Sequence, residues 1–169
     1  MMSLRPSNLL VTFPQVWSIR IDISILDNAG NLIDACAVAM MAALLYFRKS
    51  AVEVKEGGEV RLIPSHESEP TPLSIHHVPL SSTLLIFNNG ESAVLDPTEK
   101  EEMALDCRIT YSFNIHKELC MLQKLGGIAM SQEAILRFAR LAFANVEKRI
   151  GELKEVRHFA HPLLFSNER

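Results

Sequence analysis

The sequence predicts an α+β fold, with a mostly antiparallel sheet, one buried helix and a long C-terminal helix. Three observations carry this. Short runs of alternating polar and apolar residues recur between Val16 and Gly127, separated by turns rich in glycine and asparagine. One helix-length stretch, Leu32 to Phe47, is apolar on every side. The last part of the chain carries a clean helical stripe. Strands and helices that fall into separate runs, rather than alternating one by one, favour antiparallel pairing.

Residues 1–15 are polar and proline-punctuated and read as a ragged N-terminal segment. In Val16–Leu26 the set Trp17, Ile19, Ile21, Ile23 and Ile25 is wholly apolar and alternates with a polar set, which predicts a strand with one buried face. "DNAGN" (27–31) is a turn, after which Asn31 or Asp34 could cap a helix running to Phe47. A helix without a polar face must be covered all round. Residues 52–63 read as a hairpin turning on Gly57-Gly58, and the proline-bearing loop 64–73 as a boundary between subdomains. Strands are expected at 82–89, 91–96, 106–114 and 118–127, with "NNGES" and "NIHKE" as turns. The acidic link 97–105 should form a turn of helix with Pro97 at its first position. In the final helix, Ser131 is the expected N-cap, and Ile135, Phe138, Ala139, Ala142, Val146, Ile150 and Leu153 form the core-facing stripe. Residues 156–169 are a tail.

Composition narrows the function classes. A net charge of −3 lacks the basic balance of an autonomous nucleic-acid binder. The longest apolar run, Ala35–Phe47, falls short of the roughly 20 residues a membrane span needs, and no secretory signal is visible. Cys36, Cys107 and Cys120 are odd in number, widely spaced and without a C-x-x-C pair, which predicts reduced thiols in an intracellular protein.

Four candidate sites stand out, and each has a plainer reading. The turn 27–31 opens a helix, where free N–H groups attract anions, but its flanks are Asp27 and Asp34 with no cation nearby. Asp96, Glu99, Glu101, Glu102 and Asp106 could hold Mg²⁺, yet Lys100 sits among them and acidic runs are usually solvated faces. His76 and His77 point to opposite faces if extended, and His158 and His161 lack a third ligand. Cys120 lies four residues from His116, but a turn intervenes and no nucleophile motif is present. The residues alone describe a fold without a finished active site and require no metal or cofactor.

Longer ordered phrases are more specific: "WSIRIDISILDNAGNLIDACAVAMMAALLYFR", "PLSIHHVPL", "VLDPTEKEEMALDCRITYSFNIHKELCMLQKLGGIAM" and the Arg/Ala-rich final helix. Together, over residues 14–155, they resemble the RNase PH-like subunits of the eukaryotic RNA exosome ring. The resemblance implies an RNase PH-like fold of which the chain covers the back portion. Residues 16–63 would be the end of domain 1 and 64–155 domain 2. The absent front would then supply the missing cover of the apolar helix. Active members carry a Ser/Thr-Arg pair after the "ILDNAG" strand, the arginine gripping phosphate; Leu32 and Ile33 occupy those positions. Active members also place two aspartates ahead of the "DCRITY" strand; the first falls on Lys100 and the second matches Asp106.

The resemblance therefore implies a non-catalytic ring subunit, in the nucleus (nucleolus included) and cytoplasm, that scaffolds 3′-to-5′ RNA processing and decay, including rRNA maturation. Its partners would be 41-type RNase PH-like subunits, cap proteins and single-stranded RNA threading the channel. An active phosphorolytic 3′-exoribonuclease is one alternative, and a truncated, self-associating structural relative is another. The RNA-contacting residues are not identifiable at this level.

Overall fold

The computed structural model describes residues 2–4, 17–54, 60–64 and 66–160, with the backbone alone at 2–4, 89 and 156–160. The expected Gly57-Gly58 turn and the His158 and His161 side chains lie outside the described residues. The chain divides into two compact units, Met1–Ile25 with Phe47–Leu73, and Leu26–Tyr46 with Ser74–Arg169.

The first unit is built of two-stranded antiparallel pairs. β1 (Met2–Leu4) pairs with β2 (Trp17–Ile19), β3 (Arg48–Lys49) with β6 (Thr71–Pro72), and β4 (Val52–Val54) with β5 (Val60–Leu62). The β4–β5 pair is the hairpin that alternation predicts, with Val52 opposite Leu62 and Val54 opposite Val60. Three features differ from the sequence reading. Residues 2–4 form a strand within the expected ragged segment, and Thr71–Pro72 form one within the expected loop. The strand expected over Val16–Leu26 is limited to Trp17–Ile19, and its isoleucine row is open: Ile21 is 39%, Ile23 48% and Ile25 56% exposed. Alternation specifies an amphipathic ribbon but not a partner. Beyond Ile19 no described segment offers ladder hydrogen bonds, so the strand ends there.

The second unit centres on a four-stranded antiparallel sheet in the order β10-β9-β7-β8. Its strands are β7 (Leu80–Phe87), β8 (Ser92–Leu95), β9 (Cys107–Phe113) and β10 (Leu119–Gly126), close to the expected bounds. β7 is central and buried from Leu80 to Ile86. Its pairing with β9 puts Leu80 opposite Phe113, Leu84 opposite Ile109 and Ile86 opposite Cys107. These side chains share one face and one apolar cluster with α3 (Gln132–Ala160). From α3 that cluster takes Phe138, Ala142, Val146 and Ile150, the middle of the predicted stripe. The Ser131 hydroxyl accepts from the Ala134 N–H at 3.2 Å, as expected of the N-cap.

Polar contacts fix the helix on the sheet. The Tyr111 hydroxyl donates to the Ile135 carbonyl at 2.8 Å, and Asn145 donates to Ser82 at 2.9 Å. Burial foremost, then the neighbouring Cys107 thiol, pushes the Tyr111 phenol up to about 12, so it remains a neutral donor.

α1 (Leu32–Tyr46) packs along β7 and reaches the same cluster through Met41. Its exposed positions, Ala35, Ala39, Ala43 and Tyr46, form a stripe at helical spacing. The cover that its composition calls for is therefore incomplete. All three cysteines are free thiols. No helix among the described residues is long and apolar enough to cross a membrane.

The packing sets a testable contrast. Phe138→Ala, at 4% exposure, should cost about 3–5 kcal/mol in urea unfolding. Leu136→Ala, on the open side of the same helix, should stay within about 0.5 kcal/mol of the parent.

Candidate functional site

The turn 27–31 and the helix α2 (Glu99–Met103) meet. The Glu99 N–H donates to the Ala29 carbonyl at 3.0 Å, and the Asn31 N–H donates to the Glu102 carboxylate at 3.0 Å. The approach is close enough to demand glycine. Gly30 has φ +107°, and a Cβ there would stand 2.5 Å from both the Glu99 nitrogen and the Pro97 oxygen.

Three N–H groups of the turn, those of Asn28, Gly30 and Asn31, are taken by the chain's own acceptors. Asn28 N–H binds the Asp27 carboxylate at 2.9 Å, and Gly30 N–H binds the Asn28 side-chain oxygen at 3.0 Å. With Asn31 N–H on Glu102, a carboxylate occupies the helix entrance in the manner of a bound anion.

Behind the turn, Asp34 is 1% exposed and does not serve as a cap. Its carboxylate accepts five hydrogen bonds: from the hydroxyls of Ser81 (2.8 Å) and Thr83 (3.0 Å), the Thr83 N–H (2.9 Å), the Asn31 amide (3.1 Å) and the Arg149 guanidinium (3.1 Å). β8 pairs with β7 only from Leu84 onward, so Asp34 takes the Thr83 N–H just past the end of that ladder. Arg149 also lies 3.5 Å from Asp96, which accepts from the Asn31 amide at 2.6 Å. A buried carboxylate is tolerable only when paired and hydrogen-bonded in this way.

α2 begins two residues later than expected, at Glu99 and not at Pro97. Thr98 is its N-cap, and Pro97 stands just ahead. The Glu101 carboxylate accepts from both the N–H and the hydroxyl of Thr98 at 2.8 Å. These two bonds, the backbone one foremost, hold the Glu101 carboxyl below its ordinary value.

Leu32 and Ile33 open α1, half-buried and without charge. Lys100 is exposed on α2. Asp106 is exposed just ahead of β9, its N–H bound to the Ile86 carbonyl at 3.1 Å. The acids Asp96, Glu99, Glu101, Glu102 and Asp106 do not converge. Glu102 serves the turn, Glu101 caps its own helix and Asp96 turns to Arg149. No group of three or more His, Cys, Asp or Glu among the described residues could hold a metal. Cys120 is exposed in β10, while the His116 ring stands against His77 instead. Arg149 is the residue that sequence reasoning missed. The one usable signal was Asp34, the only charge in an apolar helix, which had to find a cation.

Comparison with known proteins gives the context. A family model described as "3' exoribonuclease family, domain 1" matches residues 2–50, and its "domain 2" counterpart matches residues 77–145. The chain is 38% identical to human exosome complex component RRP45 over 81% of its length and 31% of the relative's. It is 45% identical to Arabidopsis thaliana exosome complex component RRP45B over 75% of its length and 30% of the relative's. The chain thus spans about a third of these relatives. A chain of the Archaeoglobus fulgidus exosome with RNA bound to the active site superposes with a TM-score of 0.58 at 25% identity, covering 75% of this chain and 44% of that one. Rice Rrp46, at TM-score 0.54 and 16% identity over 79% of this chain and 51% of that one, shares the fold.

Two stability predictions follow from the geometry. Asp34→Ala strips Arg149 of its buried partner and should cost about 3–5 kcal/mol, whereas Asp96→Asn, on a side chain 71% exposed, should cost under about 1 kcal/mol. The lowered Glu101 carboxyl adds stability above its unfolded value, and this is lost as pH falls through the folded one. Glu101→Gln should therefore be less stable than the parent at neutral pH, with the gap closing in acid, as pH-resolved thermal melts would record.

Proposed function

We propose that this chain, which belongs to the 3′ exoribonuclease (RNase PH) family, serves as a non-catalytic RNase PH-like ring subunit of an RNA exosome. Its part would be to scaffold 3′-to-5′ RNA processing and decay. The observation that carries this reading is the filled turn at the start of α1. The N–H groups of Asn28, Gly30 and Asn31, which would face an attacking phosphate, bind Asp27, Asn28 and Glu102 instead. Asp34 and Asp96 stand behind them, and Arg149, the one cation in the cluster, is committed to both.

Phosphorolysis rests on holding an anion and stabilising charge at the transferring phosphoryl group. At the positions where active relatives are expected to carry the gripping pair, Leu32 and Ile33 offer only hydrocarbon. Lys100, at the expected first aspartate, would repel a metal ion, and Asp106 alone is a weak site. The chain would contribute a wall and an interface, with 41-type RNase PH-like subunits, cap proteins and threaded single-stranded RNA as its partners, in the nucleus and cytoplasm. The open isoleucine row and the alanine stripe of α1 are apolar surface that such neighbours would cover.

Incubated with single-stranded RNA and inorganic phosphate, the purified chain should release no nucleoside diphosphates. Release that Asp106→Ala abolishes would instead make it an active phosphorolytic exoribonuclease. Affinity purification from its source should recover a 41-type subunit and cap proteins. Recovery of the chain alone, self-associated, would favour a homo-oligomeric structural protein.

A further inference from the structure

The β9–β10 turn presents one residue with unusual definition. The Asn114 side-chain oxygen accepts the N–H groups of both His116 (2.9 Å) and Glu118 (3.0 Å), and the Asn114 N–H donates to the Glu118 carbonyl at 3.2 Å. Lys117 closes the turn at φ 65°, its N–H on the Asn114 carbonyl, and its ammonium lies 5.5 Å over the Phe143 ring. Asn114 is itself 2% exposed. His116 is therefore an exposed imidazole on a backbone pinned from below.

Its counterpart comes from the other end of the neighbouring strand. β7 and β9 pair with Leu80 opposite Phe113. His77 lies three residues ahead of β7 and His116 in the turn that follows β9, so the pairing of Leu80 with Phe113 brings the two segments to the same end of the sheet. The rings do meet, with centroids 5.7 Å apart and planes at 76°, and both residues are exposed. Neither the filled turn nor α2 involves either residue.

We propose that His77 and His116 form a bidentate surface site for a borderline transition-metal ion of the zinc type. Imidazole nitrogen is a preferred ligand for such ions. Two imidazoles this close can chelate one ion, which sets them apart from single surface histidines. Water completes the coordination sphere and leaves positions open to a ligand from a neighbouring molecule. Lys117 does not compete for the site, because its ammonium is held over Phe143. A bound ion would tie the segment ahead of β7 to the β9–β10 turn. The proposal does not rest on the exosome reading.

Isothermal titration of the full chain with zinc chloride tests it, alongside His77→Gln, His116→Gln and the double variant. One ion should bind per chain. Each single variant should weaken binding on the order of tenfold or more, because losing one arm of a chelate loses its effective concentration. The double variant should add little to either single one, and His76→Gln should leave the affinity within about twofold, since an adjacent residue in extended backbone points elsewhere. All of these positions are exposed, and an unchanged circular dichroism spectrum would confirm that the variants fold. No uptake by the parent chain, or uptake that His77→Gln and His116→Gln leave unchanged, would overturn the proposal. So would losses that simply add in the double variant.

Discussion

The buried carboxylate of Asp34 is the constraint on which the second unit depends. A carboxylate at 1% exposure must be surrounded by donors, because burying it without partners is costly. Meeting that demand draws in residues far apart in the chain: Asn31 from the turn, Ser81 and Thr83 from the central strand, and Arg149 from the long helix. The start of α1, the open end of the β7–β8 ladder and the third turn-pair of α3 are thereby fixed relative to one another. Apolar packing of Phe138, Ala142, Val146 and Ile150 supplies area but little direction. The carboxylate supplies the direction.

That anchoring also determines what the turn can bind. Asp34 and Asp96 lie behind it and Glu102 in front, with Arg149 already shared between the first two. The positive end of the α1 dipole persists, but an internal carboxylate has taken the place that an external anion would fill. The shape of the turn, including a glycine pressed against Pro97 and Glu99, serves packing against α2.

The parts legible in the sequence were those that local chemistry determines. The alternation of β7 to β10, the stripe of α3 and the Ser131 cap depend on neighbours within a few residues, and each appears close to its expected place. Pairings between distant residues were not legible. Nothing in the residues 34 and 149 announces that they meet, beyond the lone charge in an apolar helix, and His77 meets His116 only because β7 and β9 bring the segments flanking them to one end of the sheet. The Val16–Leu26 stretch failed for a related reason, since period-two alternation describes a face without supplying the strand that pairs with it. In α1 the all-apolar composition signalled missing cover, but the exposed positions are mostly alanine, which suits either side of a helix and does not mark which face is open.

If the chain's own acceptors close the turn at the start of α1 to phosphate, the N–H groups they hold should not respond to it. Amide-resolved NMR of the ¹⁵N-labelled full chain, titrated with inorganic phosphate at constant ionic strength, tests it most directly. The N–H signals of Asn28, Gly30 and Asn31 should stay in place throughout the titration. Saturable shifts of those three signals would contradict it.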